Sequence, residues 1–153
     1  MEIESKAFDK QQPTPNTIIN FPNGIPGFEN QTQFQLLNQE GSEIVFLLQS
    51  VVNDDIAFSV AHPSHFNINY HFVLSDEEKN TLKIQSEDDL LILLILHRED
   101  SSDPSSQPTI KGSIKSPLLI NTKKKTGIQK PLSVIEQTIT LTEKNNKIDV
   151  SEV

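Results

Sequence analysis

Histidines are the side chains of this sequence best suited to bind a metal, and there are four: His62, His65, His71 and His97. His62 and His65 are three residues apart, but Pro63 stands between them and no glutamate or third ligand follows as in zinc hydrolases. His71 lies on a predicted strand, where it would face solvent. The chain has no cysteine, so disulfides, thiol catalysis and cysteine-type zinc sites are excluded. We therefore predict no metal site and no cofactor.

Carboxylates are the next candidates for catalytic residues, because a pair of them can act as general acid and base. They occur in runs, which are typical of a solvated surface: Asp54-Asp55, Asp76-Glu77-Glu78 and Glu87-Asp88-Asp89. The sequence has no Gly-x-Ser-x-Gly nucleophile motif. Gly24-Ile25-Pro26-Gly27 spaces its glycines wrongly for a phosphate-binding loop, and its proline lacks an amide donor. The sequence therefore predicts that the chain is not an enzyme.

Charge is distributed unevenly along the chain. The net charge is −8, with −12 in residues 1–110 and +4 in residues 111–153. An acidic body argues against binding to a phosphate backbone and favours a basic protein partner, although solubility explains the excess of acid equally well. The only basic cluster, Lys123-Lys124-Lys125, has no aromatic residues beside it for base stacking and is interpreted as a hairpin tip. We predict no direct contact with nucleic acid.

The segment from Phe21 to Glu29 contains two prolines, two glycines and two phenylalanines in nine residues. Proline fixes φ and glycine permits φ > 0, so this composition predicts a turn of defined shape. The phenylalanines at its two ends would anchor the turn to a core. The segment offers one carboxylate, Glu29, and no nucleophile, so we interpret it as a rigid corner.

This segment resembles the signature of the FliW family of bacterial flagellar assembly factors, a phenylalanine followed after a short gap by Gly-Ile-Pro-Gly-Phe-Glu. The resemblance continues in the family's order over about residues 1–135. The further matching positions are Leu48-Gln49-Ser50 with Ile56-Ala57-Phe58; Pro63, Phe66, Tyr70, Phe72, Leu74 and Ser75; and Ser116-Pro117-Leu118-Leu119-Ile120-Asn121 with Gly127, Gln129 and Leu132.

Short apolar runs separated by turn residues predict a mostly β, single-domain, antiparallel barrel-like fold with one or two short helices. Leu90–Leu96 is apolar at every position, which fits a strand covered on both faces. Ser75-Asp76-Glu77-Glu78 is a capping box for a helix ending near Leu82, and Ser86-Glu87-Asp88-Asp89 predicts a single turn. The predicted strands are Thr17–Phe21, Phe34–Leu37, Ile44–Gln49, Ile56–Ala61, Asn69–Leu74, Leu90–His97, Thr109–Ile120 (broken at Pro117), Ile128–Ser133 (weakened by Pro131) and Thr138–Thr142.

The domain is predicted to span residues 1–142, with a mobile polar loop at 99–108 and a flexible C-terminal tail at 143–153. The start of the chain lacks the features of a secretory signal, and the longest apolar run has seven residues, against about 20 needed to cross a bilayer. We expect a cytoplasmic protein with no membrane contact. No coiled-coil heptad is present, so a monomer is predicted.

The resemblance implies a function through protein partners. FliW proteins bind newly made flagellin and also bind CsrA, a dimeric RNA-binding repressor of flagellin translation. Flagellin export frees FliW to engage CsrA and relieve repression. The alternative within this family is a flagellin-specific chaperone without CsrA regulation.

The resemblance also marks fingerprint positions. We expect Gly24, Pro26, Gly27, Phe28 and Glu29 to shape one corner, and most of the others to serve in the core or in turns. On charge alone, six acids are proposed to face CsrA. The fingerprint residues are Phe21, Gly24, Ile25, Pro26, Gly27, Phe28, Glu29, Gln49, Ser50, Pro63, Tyr70, Pro117 and Asn121; the CsrA-facing acids are Asp76, Glu77, Glu78, Glu87, Asp88 and Asp89.

The sequence departs from the family pattern at three places. Residues 8–15 replace a glycine-containing turn, and Lys130-Pro131 stands where an apolar pair usually continues the strand. The usual tyrosine–basic ending is absent. These changes bear on the C-terminal surface and on which partner this chain retains.

Overall fold

The computed structural model describes residues 2–4, 13–66, 68–98, 108–109, 114–132 and 138–141. It contains one α-helix among these residues, α1 (Asp76–Leu82), and 3₁₀ turns at Pro63–Phe66 and Glu87–Asp89. The strands are β1 (Glu2–Glu4), β2 (Ile18–Asn20), β3 (Gln33–Asn38), β4 (Phe46–Ser50), β5 (Ala57–Ala61), β6 (Ile68–Val73), β7 (Leu90–Arg98), β8 (Pro108–Thr109), β9 (Leu118–Asn121), β10 (Thr126–Gln129) and β11 (Thr138–Leu141).

Seven strands close into a barrel in the order β5-β4-β3-β2-β10-β9-β7, and pairing between β5 and β7 completes the ring. Every pair in the ring is antiparallel except β10 with β2, which is parallel at Thr126 and Asn20. β8 pairs with the end of β7, at His97 and Arg98. A separate three-stranded sheet has the order β1-β6-β11. The predicted mostly β, single-domain barrel with short helices is confirmed, with one parallel pair in an otherwise antiparallel ring.

β7 is the wall between two cores. Leu91, Leu93 and Ile95 point into the barrel. The residues that alternate with them point outward and pack beneath the three-stranded sheet: Leu90, Ile92, Leu94 and Leu96. All seven residues from Leu90 to Leu96 are buried. The absence of alternation in this segment thus correctly predicted a strand covered on both faces.

The two cores differ in their aromatic residues. Phe21 and Phe34 fill the barrel interior with Leu36, Leu48 and Val60. Outside the barrel, Tyr70 and Phe72 of β6 pack with Leu82 of α1 onto β7 and β9. The three-stranded sheet and α1 therefore cover one side of the barrel, while the outward side chains of β2, β3 and β4 are half-buried or exposed.

The capping box predicted for α1 is present. The Ser75 hydroxyl accepts from the Glu78 amide at 3.1 Å, and the Glu78 carboxylate accepts from the Ser75 amide at 2.9 Å. Lys83 ends the helix in the left-handed conformation (φ 57°). The predicted helix end near Leu82 and the single turn at Glu87–Asp89 are both confirmed.

Three strand predictions differ from the structure. β1 was not predicted, and its three residues pair with β6. β10 begins at Thr126, two residues before the predicted start, because Lys125 in the left-handed conformation (φ 58°) closes the hairpin from β9. The predicted strand Thr109–Ile120 is broken at Pro117 as expected, since proline lacks the donor that a central strand uses, but residues 114–117 before the break are not in a strand and β9 begins at Leu118.

Pro131 falls where the hairpin uses no donor. The Lys130 amide donates to the Pro117 carbonyl at 3.0 Å, and the Leu132 amide donates to the Lys115 carbonyl at 2.7 Å. The backbone nitrogen of Pro131, between them, therefore faces away from the opposite segment. Residues 99–107 of the predicted mobile loop and the predicted tail at 143–153 lie outside the described residues, as do residues 8–12 of the segment that departs from the family.

Candidate functional site

The nonapeptide Phe21–Glu29 forms a corner of two consecutive tight turns between β2 and β3. The Gly24 amide donates to the Phe21 carbonyl at 2.8 Å, and the Phe28 amide donates to the Ile25 carbonyl at 2.6 Å. Phe21 itself is held by a bond from its amide to the Thr32 carbonyl at 2.7 Å. The predicted turn of defined shape is therefore present.

Gly24 is required in this corner for both conformation and space. Its φ is +67°, and a Cβ built there would lie 2.5 Å from Glu29 Cα and 2.7 Å from the Glu29 carbonyl oxygen. Gly27 also has positive φ, +90°, but a Cβ there would meet nothing within 4 Å. Gly24 thus allows two backbone segments to touch, whereas Gly27 supplies conformation only.

Phenylalanines anchor the corner at both ends, as expected. Phe21 is fully buried and meets Phe34 edge-on with ring centroids 5.5 Å apart. Phe28 is partly buried and meets Phe58 in the same geometry at 5.4 Å. These contacts fix the corner to β3 and β5.

Glu29 is tied into the corner by its own neighbour. Its carboxylate accepts a hydrogen bond from the Gly27 amide at 2.9 Å, and this bond holds the pKa of the exposed Glu29 carboxyl below its usual value. The side chain therefore locks the turn and remains ionised.

Asn121 joins three parts of the structure although it is 1% exposed. Its amide nitrogen donates to the carbonyls of Leu82 at 2.9 Å and Lys83 at 3.2 Å, at the end of α1. Its amide oxygen accepts from the Lys123 and Lys124 amides at 3.0 and 3.2 Å. One buried side chain thus fastens the helix to the β9–β10 hairpin.

Ser50 organises the turn between β4 and β5. Its hydroxyl donates to the Gln31 side chain and accepts from the amides of Val52 and Asn53 at 3.3 and 3.2 Å. The residue is 2% exposed. Its position in the fingerprint has a structural reason.

The other fingerprint residues divide between interior and surface. The Tyr70 hydroxyl donates to the Ile114 carbonyl at 2.5 Å, and burial raises the pKa of this phenol. Pro63 and Pro117 are buried, whereas Gln49 points outward from β4 and is half-buried. In this group Gln49 is the residue that lies on the surface.

The six acids lie in two groups at opposite ends of the β9–β10 hairpin. Asp76 and Glu77 are exposed at the start of α1, whose third acid Glu78 contacts Lys130 beyond the end of β10. Glu87 and Asp88 are exposed near the hairpin tip, where the Thr122 amide donates to the Asp89 carbonyl at 2.9 Å. The two groups of acids therefore contact the same hairpin but do not form one cluster.

Glu78 differs from the other acids because its partner is a buried lysine. Asp76 also has an ion pair, with Lys79 Nζ at 3.2 Å, but its carboxylate lies at the surface. Lys130 Nζ lies 2.8 and 2.9 Å from its two carboxylate oxygens, and Lys130 is 8% exposed. Burial raises the pKa of Glu78, but the bonds from Lys130 and from the Ser75 amide outweigh it, so the pKa lies below its usual value. Lys130 also lies 5.9 Å from the centre of the Phe72 ring.

Sequence reasoning identified Lys130 only as a departure from the family pattern and missed its role. The available signal was a lone lysine between Ile128 and Leu132, within the predicted strand Ile128–Ser133. Its partner is 52 residues away in the chain, so no local pattern could reveal the pair.

His62 and His71 have separate partners. His62 is buried and its Nδ1 lies 2.8 Å from the Ser64 hydroxyl, while His71 is exposed, as predicted, and contacts the Glu2 carboxylate. Across the parts of the chain that the structure describes, no three potential metal ligands of the His, Cys, Asp or Glu type lie together. In the same parts, no helix has the length and apolar character needed to cross a membrane.

Comparison with known proteins adds an independent finding. A family model described as FliW protein matches residues 2–144. The chain is 37% identical over 145 residues to a flagellar assembly factor FliW of Azoarcus sp. (strain BH72), covering 94% of this chain and 99% of that protein. It is 33% identical to the protein of the same name from Chromobacterium violaceum, covering 85% and 92%.

A solved structure shows the same fold. The crystal structure of a flagellar assembly factor FliW superposes with a TM-score of 0.63 at 27% sequence identity, covering 88% of this chain and 92% of that one. This chain therefore shares its overall fold with that protein.

Proposed function

The chain belongs to the FliW family of flagellar assembly factors, and we propose that it acts in the cytoplasm, as a monomer, by binding two proteins in alternation. One partner is flagellin, and the other is the translational repressor CsrA. When flagellin is exported, the freed protein binds CsrA and relieves repression of flagellin translation. No covalent step is involved, because occupancy alone carries the signal.

The observation that carries the CsrA assignment is the pair of exposed acidic groups mounted on a rigid base. Asp76 and Glu77 project from a capped helix, and Glu87 and Asp88 project from a 3₁₀ turn. Asn121 and Lys130 fix α1 to the β9–β10 hairpin, and Thr122 holds the 3₁₀ turn through the Asp89 carbonyl. Rigidly held negative charge favours fast encounter with a basic RNA-binding protein and competes with phosphate for it.

The six acids have different roles in this proposal. Asp76, Glu77, Glu87 and Asp88 are the exposed members and would meet CsrA, with the half-buried Asp89 beside them. Glu78 supports them by tying α1 to Lys130. The fingerprint corner sets the shape of the barrel rim.

Reversing two charges tests the acidic surface. We expect Asp76→Lys/Glu77→Lys to weaken CsrA binding about tenfold or more at low ionic strength, with a smaller effect at 0.5 M salt, because salt screens exposed charges. The measurement is calorimetric titration of purified CsrA at both ionic strengths. Asp54→Lys/Asp55→Lys is the matched control, since this exposed acidic pair lies in the β4–β5 turn, away from α1.

Two results would contradict the assignment. Unchanged affinity of the α1 variant at both ionic strengths would remove these acids from the interface. An equal loss in the control variant would show that net charge matters and position does not.

The alternative is a chaperone for flagellin alone. The altered C-terminal region, with Lys130-Pro131 and without the tyrosine–basic ending, is the observation that favours it. A pull-down with purified CsrA and, separately, flagellin distinguishes the two functions. Saturable binding to both supports partner switching, and binding to flagellin alone supports the chaperone.

A further inference from the structure

The barrel has a second surface that the proposed function does not use. On β3 and β4 the alternate residues Phe34, Leu36 and Leu48 point inward and are at most 1% exposed. The residues between them point outward. We call this outward surface the neutral face and define it by six residues: Ile18, Gln35, Leu37, Leu47, Gln49 and Ala57.

Strand register places these six side chains in two rows. Ile18 pairs with Gln35, which pairs with Gln49, which pairs with Ala57, so the first row crosses four strands. Leu37 pairs with Leu47 to form the second row. Neighbouring strands are about 4.8 Å apart, so the first row spans about 14 Å.

No other element of the described chain packs over the neutral face, which mixes apolar with amide side chains. Ile18 is 43% exposed, Ala57 is exposed, and the other four residues are half-buried. The three-stranded sheet and α1 pack on β7 and β9 instead. An exposed β-branched residue with two leucines beside it is a surface that gains free energy when a partner covers it.

The strands that form the neutral face carry no positive charge, although the lysine tip of the β9–β10 hairpin lies beside one corner, where the Asn20 amide donates to the Lys125 carbonyl at 2.9 Å. The sequence contains no lysine or arginine between Lys10 and Lys79, so β2 to β5 carry no side chain of either type. The exposed acids Asp54 and Asp55 lie in the turn at one end of β4. Glu40 and Glu43, also exposed, lie in the turn at its other end. An uncharged surface thus has carboxylates at both ends of its strands.

The closed barrel restricts what can bind here. β3 and β4 are paired along both edges and leave no free ladder edge for an added strand, whereas β2 pairs with β10 only at Asn20. A partner on β3 and β4 meets side chains only. β4 has five residues, or about 17 Å, which is the length of about 11 residues of α-helix.

We propose that the neutral face is a docking site for an amphipathic helix of a partner protein, with an apolar stripe in the middle and lysine or arginine at both ends. The stripe covers Ile18, Leu37 and Leu47, and glutamine side chains of the helix can pair with Gln35 and Gln49. The terminal cations meet the acidic turns. This site is separate from the acids of α1 and does not depend on the CsrA assignment.

The test uses a blocked, fluorescein-labelled 14-residue helical peptide with a leucine and glutamine stripe and two lysines at each end. One matched peptide has the same composition with the leucines spread around the helix, and a second has glutamate in place of lysine. Fluorescence anisotropy with the full chain measures binding. We expect saturable binding of the first peptide and at least tenfold weaker binding of the other two.

Variants locate the site. Ile18→Lys puts a cation on the neutral face, and Val73→Lys is its control, because Val73 is likewise β-branched, 53% exposed and on a strand, but in the three-stranded sheet. We expect at least a tenfold loss of peptide affinity for the first and less than twofold for the second. Asp54→Lys/Asp55→Lys should also weaken binding, and Asp76→Lys/Glu77→Lys should not. Circular dichroism confirms that each variant is folded.

Several results would overturn the proposal. These are failure of the first peptide to bind, equal binding of the glutamate peptide, or equal losses for Ile18→Lys and Val73→Lys. Loss of peptide binding in the α1 variant would place the cationic helix on the other acidic surface. Dimerisation of the chain that Ile18→Lys abolishes would show that the face pairs two copies. Failure of CsrA binding with intact peptide binding would affect only the proposed function.

Discussion

At the scale of single residues, the corner between β2 and β3 depends on contacts that only glycine permits. Gly24 sits against the backbone of Glu29, and the Glu29 carboxylate returns to the Gly27 amide. The corner is therefore stabilised by mutual contacts among its own residues. Its rigidity, and the constant position of Phe21 in the barrel core, follow from this.

Alanine substitutions at Gly24 and Gly27 separate two contributions to stability, the left-handed backbone conformation and the close contact with a neighbouring backbone. We expect Gly27→Ala to destabilise the protein by about 1–2 kcal/mol, the cost of a left-handed residue with a side chain. Gly24→Ala should cost about 2–5 kcal/mol, because its Cβ also displaces the Glu29 backbone. Urea unfolding measures both. Equal losses would show that the close approach at Gly24 adds nothing.

The Glu78–Lys130 pair predicts a dependence on pH. The folded-state pKa of Glu78 lies below its usual value of 4.5, so the pair stabilises the fold above that pH and loses its effect as the pH falls through the folded-state pKa. We expect Glu78→Gln to destabilise by about 1–3 kcal/mol at pH 7, since it leaves the buried Lys130 unpaired. The difference from wild type should shrink toward pH 3.

Denaturant unfolding at the two pH values tests this, with Glu77→Gln as the control. Glu77 is exposed in the same helix turn, so its variant should change the stability by less than about 1 kcal/mol. A difference for Glu78→Gln that stays constant from pH 7 to pH 3 would mean that the carboxylate does not stabilise the fold.

At the scale of elements, the helix and the hairpin behave as one unit because Asn121 joins them. Its amide group donates to two carbonyls at the end of α1 and accepts from two amides at the hairpin tip. Both acidic groups therefore rest on the same support. A substitution that breaks the Asn121 hydrogen bonds should therefore disturb the positions of both acidic groups without replacing any acid.

Replacing the Asn121 amide by a carboxylate removes only the donor. We expect Asn121→Asp to destabilise by about 2–4 kcal/mol, because a buried carboxylate would face the carbonyls of Leu82 and Lys83. Asn53→Asp is the control, since the Asn53 side chain accepts from the Asp55 amide, a role that a carboxylate retains. Equal stability of the two variants would exclude Asn121 as a buried donor to α1.

The elements differ in how far local sequence predicts them. The capping box at Ser75 and the apolar run of β7 are local patterns, and both gave the correct structure. β1 and the parallel pairing of β10 with β2 depend on residues far apart in the chain. The same limit applies to Lys130, whose partner lies on α1, and to the neutral face, which exists only because four strands align their outward residues.

At the scale of the whole molecule, β7 divides two cores and so gives the barrel a covered and an open side. The covered side carries the acids on α1 and the adjoining 3₁₀ turn, and the open side carries the neutral face. One small domain thus presents two chemically different surfaces, strongly charged and largely uncharged.

Competition at equilibrium tests partner switching most directly. A fluorescently labelled RNA carrying the CsrA target sequence is bound to CsrA, and its anisotropy is followed as this protein and then flagellin are added. The account predicts that the protein releases the RNA and that flagellin restores the CsrA–RNA complex. RNA that stays bound at saturating protein, or release that flagellin does not reverse, would contradict it.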